Sequence, residues 1–334
     1  MGTVTSKENY LLYLIDQIKR TNLLKEDFMK KEFLSLDNNL IIKKLYYASD
    51  DGFIIKDRTK SKYFILTKIR TSRFELSKIT NTLEKLELLN SDKFFNVYHF
   101  LIRNAHDNNG KLIYILFEGG NNPMKQLDMK KNDLTYKEKL LFFINILFNM
   151  KILEINKIQL GNLEPENIFY SNQRITNSKK IDFKLFGYKD IINNIYSEKN
   201  YFAPQILENK TNTKSNILSL CCILYELLFN DKLFPNKNDI LNLSNIFIIK
   251  ELKNISQNIS KSVNIAQIYD ENLLNFFNKI ISPLNKKLIL DEVLHEKFVI
   301  NILKENNYFY ELIEENLIEI GLDNLEDNAS MKSN

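Results

Sequence analysis

The chemistry this chain can offer is concentrated in one short polar segment, Asn162-Leu163-Glu164-Pro165-Glu166-Asn167, and in Asp182 further along. An amide such as Asn162 cannot accept a proton usefully at neutral pH, so it makes a poor general base. Asn167 carries an amide oxygen and Asp182 a carboxylate. One carboxylate and one amide make a weak Mg²⁺ site, because hard cations favour anionic oxygen. Each also has a plainer role: Asn167 as a hydrogen-bonding loop residue, Asp182 as a solvated aspartate at a strand edge. The two cysteines, Cys221 and Cys222, are adjacent in an apolar run. Neighbours on a helix point apart, which predicts buried reduced thiols rather than a disulfide. The histidines His99, His106 and His295 are scattered and, with two cysteines, supply no zinc cluster.

The elements that must position these residues are built from 334 residues with 44% hydrophobic content, enough for a two-lobed domain with a sizeable core. The 46 Lys and Arg nearly balance 42 Asp and Glu, and they form no stripe that would favour nucleic acid. No stretch reaches the roughly 18 apolar residues of a membrane span, and no apolar signal segment is visible. The start, Met1-Gly2-Thr3-Val4-Thr5-Ser6-Lys7, fits the N-myristoylation pattern at Gly2, with a chance match as the alternative. A single acyl chain gives only marginal, reversible membrane binding. No second signal is apparent, since residues 7–32 mix both signs of charge. The expectation is a cytoplasmic protein, peripheral at a membrane if Gly2 is acylated.

Residues 8–34 carry apolar positions at helical spacing and read as one or two helices. Leu40 to Tyr47, Phe53 to Ile55 and Tyr63 to Ile69 are β-branched and aromatic, separated by polar turns, and read as strands. Residues 74–90 read as a helix; Phe94 to Arg103 and Lys111 to Glu118 read as strands. Beyond Leu134 the pattern is mostly helical. Leu140 to Ile155 and Ile217 to Phe229 are apolar on nearly every face and predict buried helices. Val299 to Ile320 reads as an amphipathic helix before a polar tail. The fold class is α+β in two lobes: a helical extension over 1–37, a small strand-rich lobe over 38–118, a larger helical lobe over 119–300 and a helix with tail over 301–334.

Residues about 38–300 resemble a eukaryotic protein kinase domain of the Ser/Thr type. Leu163-Glu164-Pro165-Glu166-Asn167-Ile168 resembles the family's Leu-Lys-Pro-Glu-Asn-Ile, and Tyr201 to Gln205 resembles its Ala-Pro-Glu segment. Asn216 to Cys221 resembles the start of its central helix. Ser282-Pro283, Lys286 and Val293-Leu294-His295 with Phe298 resemble two late motifs. Of five prolines, Pro165, Pro204 and Pro283 fall on family positions. Further back, Lys111 to Glu118 resembles the strand entering the hinge, which implies Phe117 as gatekeeper and Glu118 as first hinge residue, the nucleotide-contacting pair if one binds. The resemblance puts Thr67 at the phosphate-binding lysine, and Thr82 at its glutamate partner. Lys68 is adjacent to Thr67 but faces the opposite side of a strand. The Asp-Phe-Gly motif has two placements. Asp182-Phe183-Lys184 keeps an aspartate that the resemblance implies as a metal ligand together with Asn167, and an ordinary segment length; Gly187-Tyr188-Lys189 follows a strand-like run and loses it.

Phosphoryl transfer in this family is mostly positioning and charge neutralisation. ATP brings about four negative charges that the protein must offset. Here Thr67 and Thr82 replace the ion pair, Asn162 replaces the aspartate that orients the substrate hydroxyl, and Glu164 reverses the sign of a lysine. The glycine-rich loop reduces to Ala48-Ser49-Asp50-Asp51-Gly52, with two carboxylates that repel phosphate. The resemblance therefore implies a pseudokinase that acts as a scaffold or allosteric partner of another protein, such as a kinase or a membrane or cytoskeletal complex, with no cofactor. A weakly active or nucleotide-binding Ser/Thr kinase using ATP and Mg²⁺, and a structural membrane-proximal or cytoskeletal component, are the alternatives.

Overall fold

A computed structural model describes residues 6–21, 34–35, 39–45, 52–89, 95–105, 110–120, 125–129, 134–158, 163–175, 178–185, 213–233, 257, 261, 271–281 and 289–305. The chain divides into two compact units: residues 1–127 with 166–195, and 128–165 with 196–334.

The first unit is built on a six-stranded antiparallel sheet. Its strands are β1 (Leu34–Ser35), β2 (Leu40–Leu45), β3 (Gly52–Asp57), β4 (Lys62–Thr71), β5 (Asn96–Asn104) and β6 (Lys111–Gly120), in the order β1-β2-β3-β4-β6-β5. Side chains alternate between the faces of a strand, and both faces of this sheet are apolar. On one face Phe53, Ile55, Phe64, Leu66 and Leu116 pack with Leu40 and Ile42. Helix α1 (Ser6–Thr21) covers that face with Leu11, Leu14, Ile15 and Ile18, a stripe at helical spacing. Each such side chain contributes about 1.5–3 kcal/mol of burial. On the other face Ile65, Ile69, Ile113, Ile115 and Phe117 are buried. Helix α2 (Arg73–Leu89) packs on β5 and buries Ile79, Leu83 and Leu86. Leu34 lies in β1 opposite Ile42, not in a helix as its spacing suggested.

A second sheet of three strands joins β7 (Lys125–Gln126), β8 (Ile168–Ile175) and β9 (Ser178–Leu185). A single 3₁₀ turn, Pro165–Asn167, leads into β8.

The second unit is helical in its described residues: α3 (Tyr136–Ile155), α4 (Thr213–Phe229), α5 (Glu271–Ile281), α6 (Leu290–Leu294) and α7 (Lys297–Glu305). Thr135 starts α3 with a capping box. Its Oγ1 accepts the Glu138 N–H at 3.3 Å, and Glu138 Oε2 accepts the Thr135 N–H at 2.7 Å. Aromatic side chains knit the helices. Phe143 lies 5.4 Å from Phe276 and 6.3 Å from Phe298, and Tyr225 lies 5.9 Å from Phe277. Among the described residues the buried polar groups of this core are few. Lys151 of α3 is buried, and its Nζ reaches Asp291 of α6 at 2.6 Å and Glu154 at 2.9 Å. Cys221 and Cys222 are buried free thiols, and burial pushes both thiols above their usual range.

Candidate functional site

Strand β4 decides what the first unit can offer a phosphate. Thr67 sits in it opposite Ile115, buried, with Ile65 and Ile69 on the same face. The next residue, Lys68, stands opposite Tyr114 on the face that α1 covers. Thr82 lies on α2 and donates its hydroxyl to the Lys78 carbonyl at 3.0 Å, within its own helix. Neither threonine carries charge. The two positions that the resemblance pairs as lysine and glutamate therefore form no ion pair here.

Strand β6 carries the two residues that the resemblance puts at the gatekeeper and hinge positions. Phe117 is buried and faces Ile65 across the β4–β6 ladder. Glu118 forms an ion pair with Lys62 of β4. Gly119 follows, and a Cβ on it would come within 3.2 Å of the Phe95 ring and 3.3 Å of the Tyr63 carbonyl oxygen. Phe95 in turn meets Phe169 of β8 edge to face, with ring centroids 5.2 Å apart. Both rings are fully buried. Ile54, Tyr63, Ile65, Phe95, Gly119 and Phe169 line a half-open pocket of about 10 Å³, room for about one water molecule.

The candidate metal ligands are not brought together by the hairpin. Asn167 is buried at the entry to β8. Asp182 lies inside β9, opposite Ser171, while Ile168 pairs with Leu185. Three ladder steps separate those pairs, roughly 10 Å at the rise of a strand. Strand β9 also runs on to Leu185. An Asp-Phe-Gly motif placed at Asp182 would lie within the ladder; the placement at Gly187-Tyr188-Lys189 follows the strand end but lies outside the described residues. Among the described residues no group of three or more His, Cys, Asp and Glu is arranged to hold a metal ion.

Glu164 is half-buried just ahead of the 3₁₀ turn. Asn162, Gln205, Lys286, His106 and Gly2 lie outside the described residues, as do Ala48 to Asp51. Asn216 is buried in the first turn of α4. His295 ends α6, with Nδ1 2.7 Å from the Asp291 carbonyl oxygen, a capping position. His99 is half-buried on β5 with its ring 6.3 Å from that of Phe100. Sequence reasoning did not single out Phe95, Phe169 or Lys151. Phe169 stood two residues past Asn167 and could have been noticed there. Phe95 reaches Gly119 only through the β5–β6 register.

Comparison with known proteins follows the same outline. Residues 52–299 match the family described as protein kinase domain. The human serine/threonine-protein kinase Nek5 is 26% identical over 190 residues, covering 54% of this chain and 26% of that protein. Mouse Nek1 is 24% identical over 185 residues, 52% of this chain and 15% of that protein. The Caenorhabditis elegans kinase nekl-2 is 35% identical over 106 residues, 30% of this chain and 29% of that one. The chain thus matches less than a third of the length of each of these relatives. Among solved structures, Rad53 in complex with AMP-PNP aligns with a TM-score of 0.56 at 15% identity, over 81% of this chain and 66% of that one. The Leishmania major MAP kinase LmaMPK10 aligns at 0.53 and 12% identity, over 84% and 87%. A family match across most of the chain, on a strand-rich unit and a helical unit, shows that this chain belongs to the protein kinase superfamily and has its two-lobed α+β fold.

Proposed function

We propose that this kinase-fold protein does not transfer phosphate and acts by binding another protein, as a scaffold or allosteric partner. The observation that carries the reading is Thr67, a buried hydroxyl between two isoleucines, at the position where the resemblance puts the phosphate-binding lysine. A triphosphate held without that charge must be offset elsewhere. Thr82 is neutral, and Glu164 adds a negative charge. Removing several such groups together takes away most of the electrostatic stabilisation of the transition state. ATP and Mg²⁺ are then not working cofactors.

Thermal unfolding with ATP and either Mg²⁺ or Mn²⁺ tests the reading, because a ligand bound to the native state raises the melting temperature. The expected result is no shift at millimolar nucleotide. A saturable, metal-dependent shift would favour the second reading, a weakly active or nucleotide-binding Ser/Thr kinase. That alternative draws support from the names of the relatives, which are serine/threonine-protein kinases.

Peripheral membrane attachment through Gly2 belongs to the same proposal, with a membrane or cytoskeletal complex as the partner. None of the described helices is long and apolar enough to cross a membrane. Intact mass of the protein from its own cells should equal that of the chain without Met1 plus one myristoyl group. An unmodified Gly2 would remove this part of the proposal.

A further inference from the structure

The cavity between β3, β4, β6 and β8 lies where the nucleotide-holding segments converge. Ile54 stands two residues after Gly52, the one glycine of the reduced loop. Ile65 stands two before Thr67, Gly119 follows the hinge residue Glu118, and Phe169 stands two after Asn167. A purine held by this fold would have to lie among these four segments. The pocket that these described residues line measures about 10 Å³, whereas a planar bicyclic ring needs many times the room of the single water that fits there.

Two aromatic rings occupy the missing volume. Phe95 is pressed against the backbone at Gly119, close enough that a Cβ there would meet its Cε1 at 3.2 Å. Its edge-to-face contact with Phe169 fixes the second ring, and both are sealed from solvent. Swinging either ring out would break that contact and leave an apolar void, which a close-packed interior resists. Ile65 is buried beside them on β4.

We infer that Phe95 and Phe169 close the purine pocket of this chain, so that adenosine is excluded by shape and not only by missing phosphate-binding charge. The inference rests on the inactive-kinase reading but goes further. Loss of charge alone would leave a site that still takes an uncharged nucleoside; a filled pocket takes neither.

Adenosine and ATP, with and without Mg²⁺, are titrated into the full chain by thermal unfolding and by saturation-transfer NMR. The wild type should show no saturable response to either ligand. The double variant Phe95→Val with Phe169→Leu trims the rings and keeps the lining apolar. It should gain a melting-temperature rise that grows with adenosine concentration and does not depend on metal. Saturable adenosine binding by the wild type overturns the inference. So does a double variant that melts cooperatively yet gains no adenosine response. If the double variant loses its cooperative melt, the two single variants take its place under the same criterion, and the wild-type measurement still decides. The outcomes separate the two claims: a wild type that binds adenosine but transfers no phosphate defeats pocket closure and leaves the inactive-kinase reading intact.

Discussion

Tyr10 and Asp57 show how one residue pair ties the N-terminal helix to the sheet. Asp57 is buried at the end of β3. Its Oδ1 accepts the Thr59 and Lys60 N–H groups at 2.8 and 3.1 Å and the Thr59 hydroxyl at 2.6 Å. Its Oδ2 accepts the Tyr10 hydroxyl at 2.5 Å. The Lys60 ammonium lies 3.2 Å above the Tyr10 ring, a cation–π contact. Burial alone would raise the Asp57 carboxyl, but the hydrogen bonds from Thr59, Tyr10 and Lys60 outweigh it and hold the group below its usual value. A lowered folded-state pKa stabilises the protein above the unfolded value, about pH 4, and that contribution disappears as pH falls through the folded value. Denaturant unfolding measured across the acid range should therefore show a steeper loss of stability below about pH 4 for the wild type than for Asp57→Asn. Tyr10→Phe should cost about 1.5–3 kcal/mol at neutral pH through the lost charge-assisted bond. Identical acid limbs for wild type and Asp57→Asn would contradict this account.

Among the elements, helix α3 ends in a strained but complete cap. The Ile158 N–H donates to the Leu153 carbonyl at 2.8 Å and the Lys157 N–H to the Glu154 carbonyl at 2.9 Å, the Schellman pattern. Its left-handed position is Lys157, with φ 54°, where glycine carries no Cβ penalty. Lys157→Gly should stabilise the fold by about 1 kcal/mol, raising the melting temperature by about 1–2 °C in calorimetry. An unchanged or lower value would show that the lysine gains something the cap geometry does not reveal. Elements of this kind were legible in the sequence where one period dominates. The apolar runs of α3 and α4, and β-branched strands such as Tyr63 to Ile69, announce themselves. The β8–β9 hairpin does not. Asn172, Gln173, Arg174, Lys179 and Lys180 fill its turn end, so no alternation is visible; cross-strand pairing makes the hairpin. Leu34 misleads in the opposite way, because its helical spacing gives way to pairing with Ile42.

At the scale of the whole molecule, the family frame is readable from a few fixed points, Pro165 and Asn167 among them, because backbone turns constrain residue type strongly. The candidate site is less readable. Charge losses such as Thr67 follow from residue identity once a register is chosen. Whether Asp182 meets Asn167 depends on strand length, and the hairpin ladder holds Asp182 inside β9. The filling of the cavity by Phe95 and Phe169 depends on packing between segments far apart in sequence. The central claim is that a kinase fold here persists without kinase chemistry. Phosphoryl transfer from γ-labelled ATP, measured with Mg²⁺ and with Mn²⁺ on the intact protein and general Ser/Thr substrates, tests it most directly. The account predicts no incorporation above a no-enzyme control. Robust, metal-dependent incorporation would contradict it.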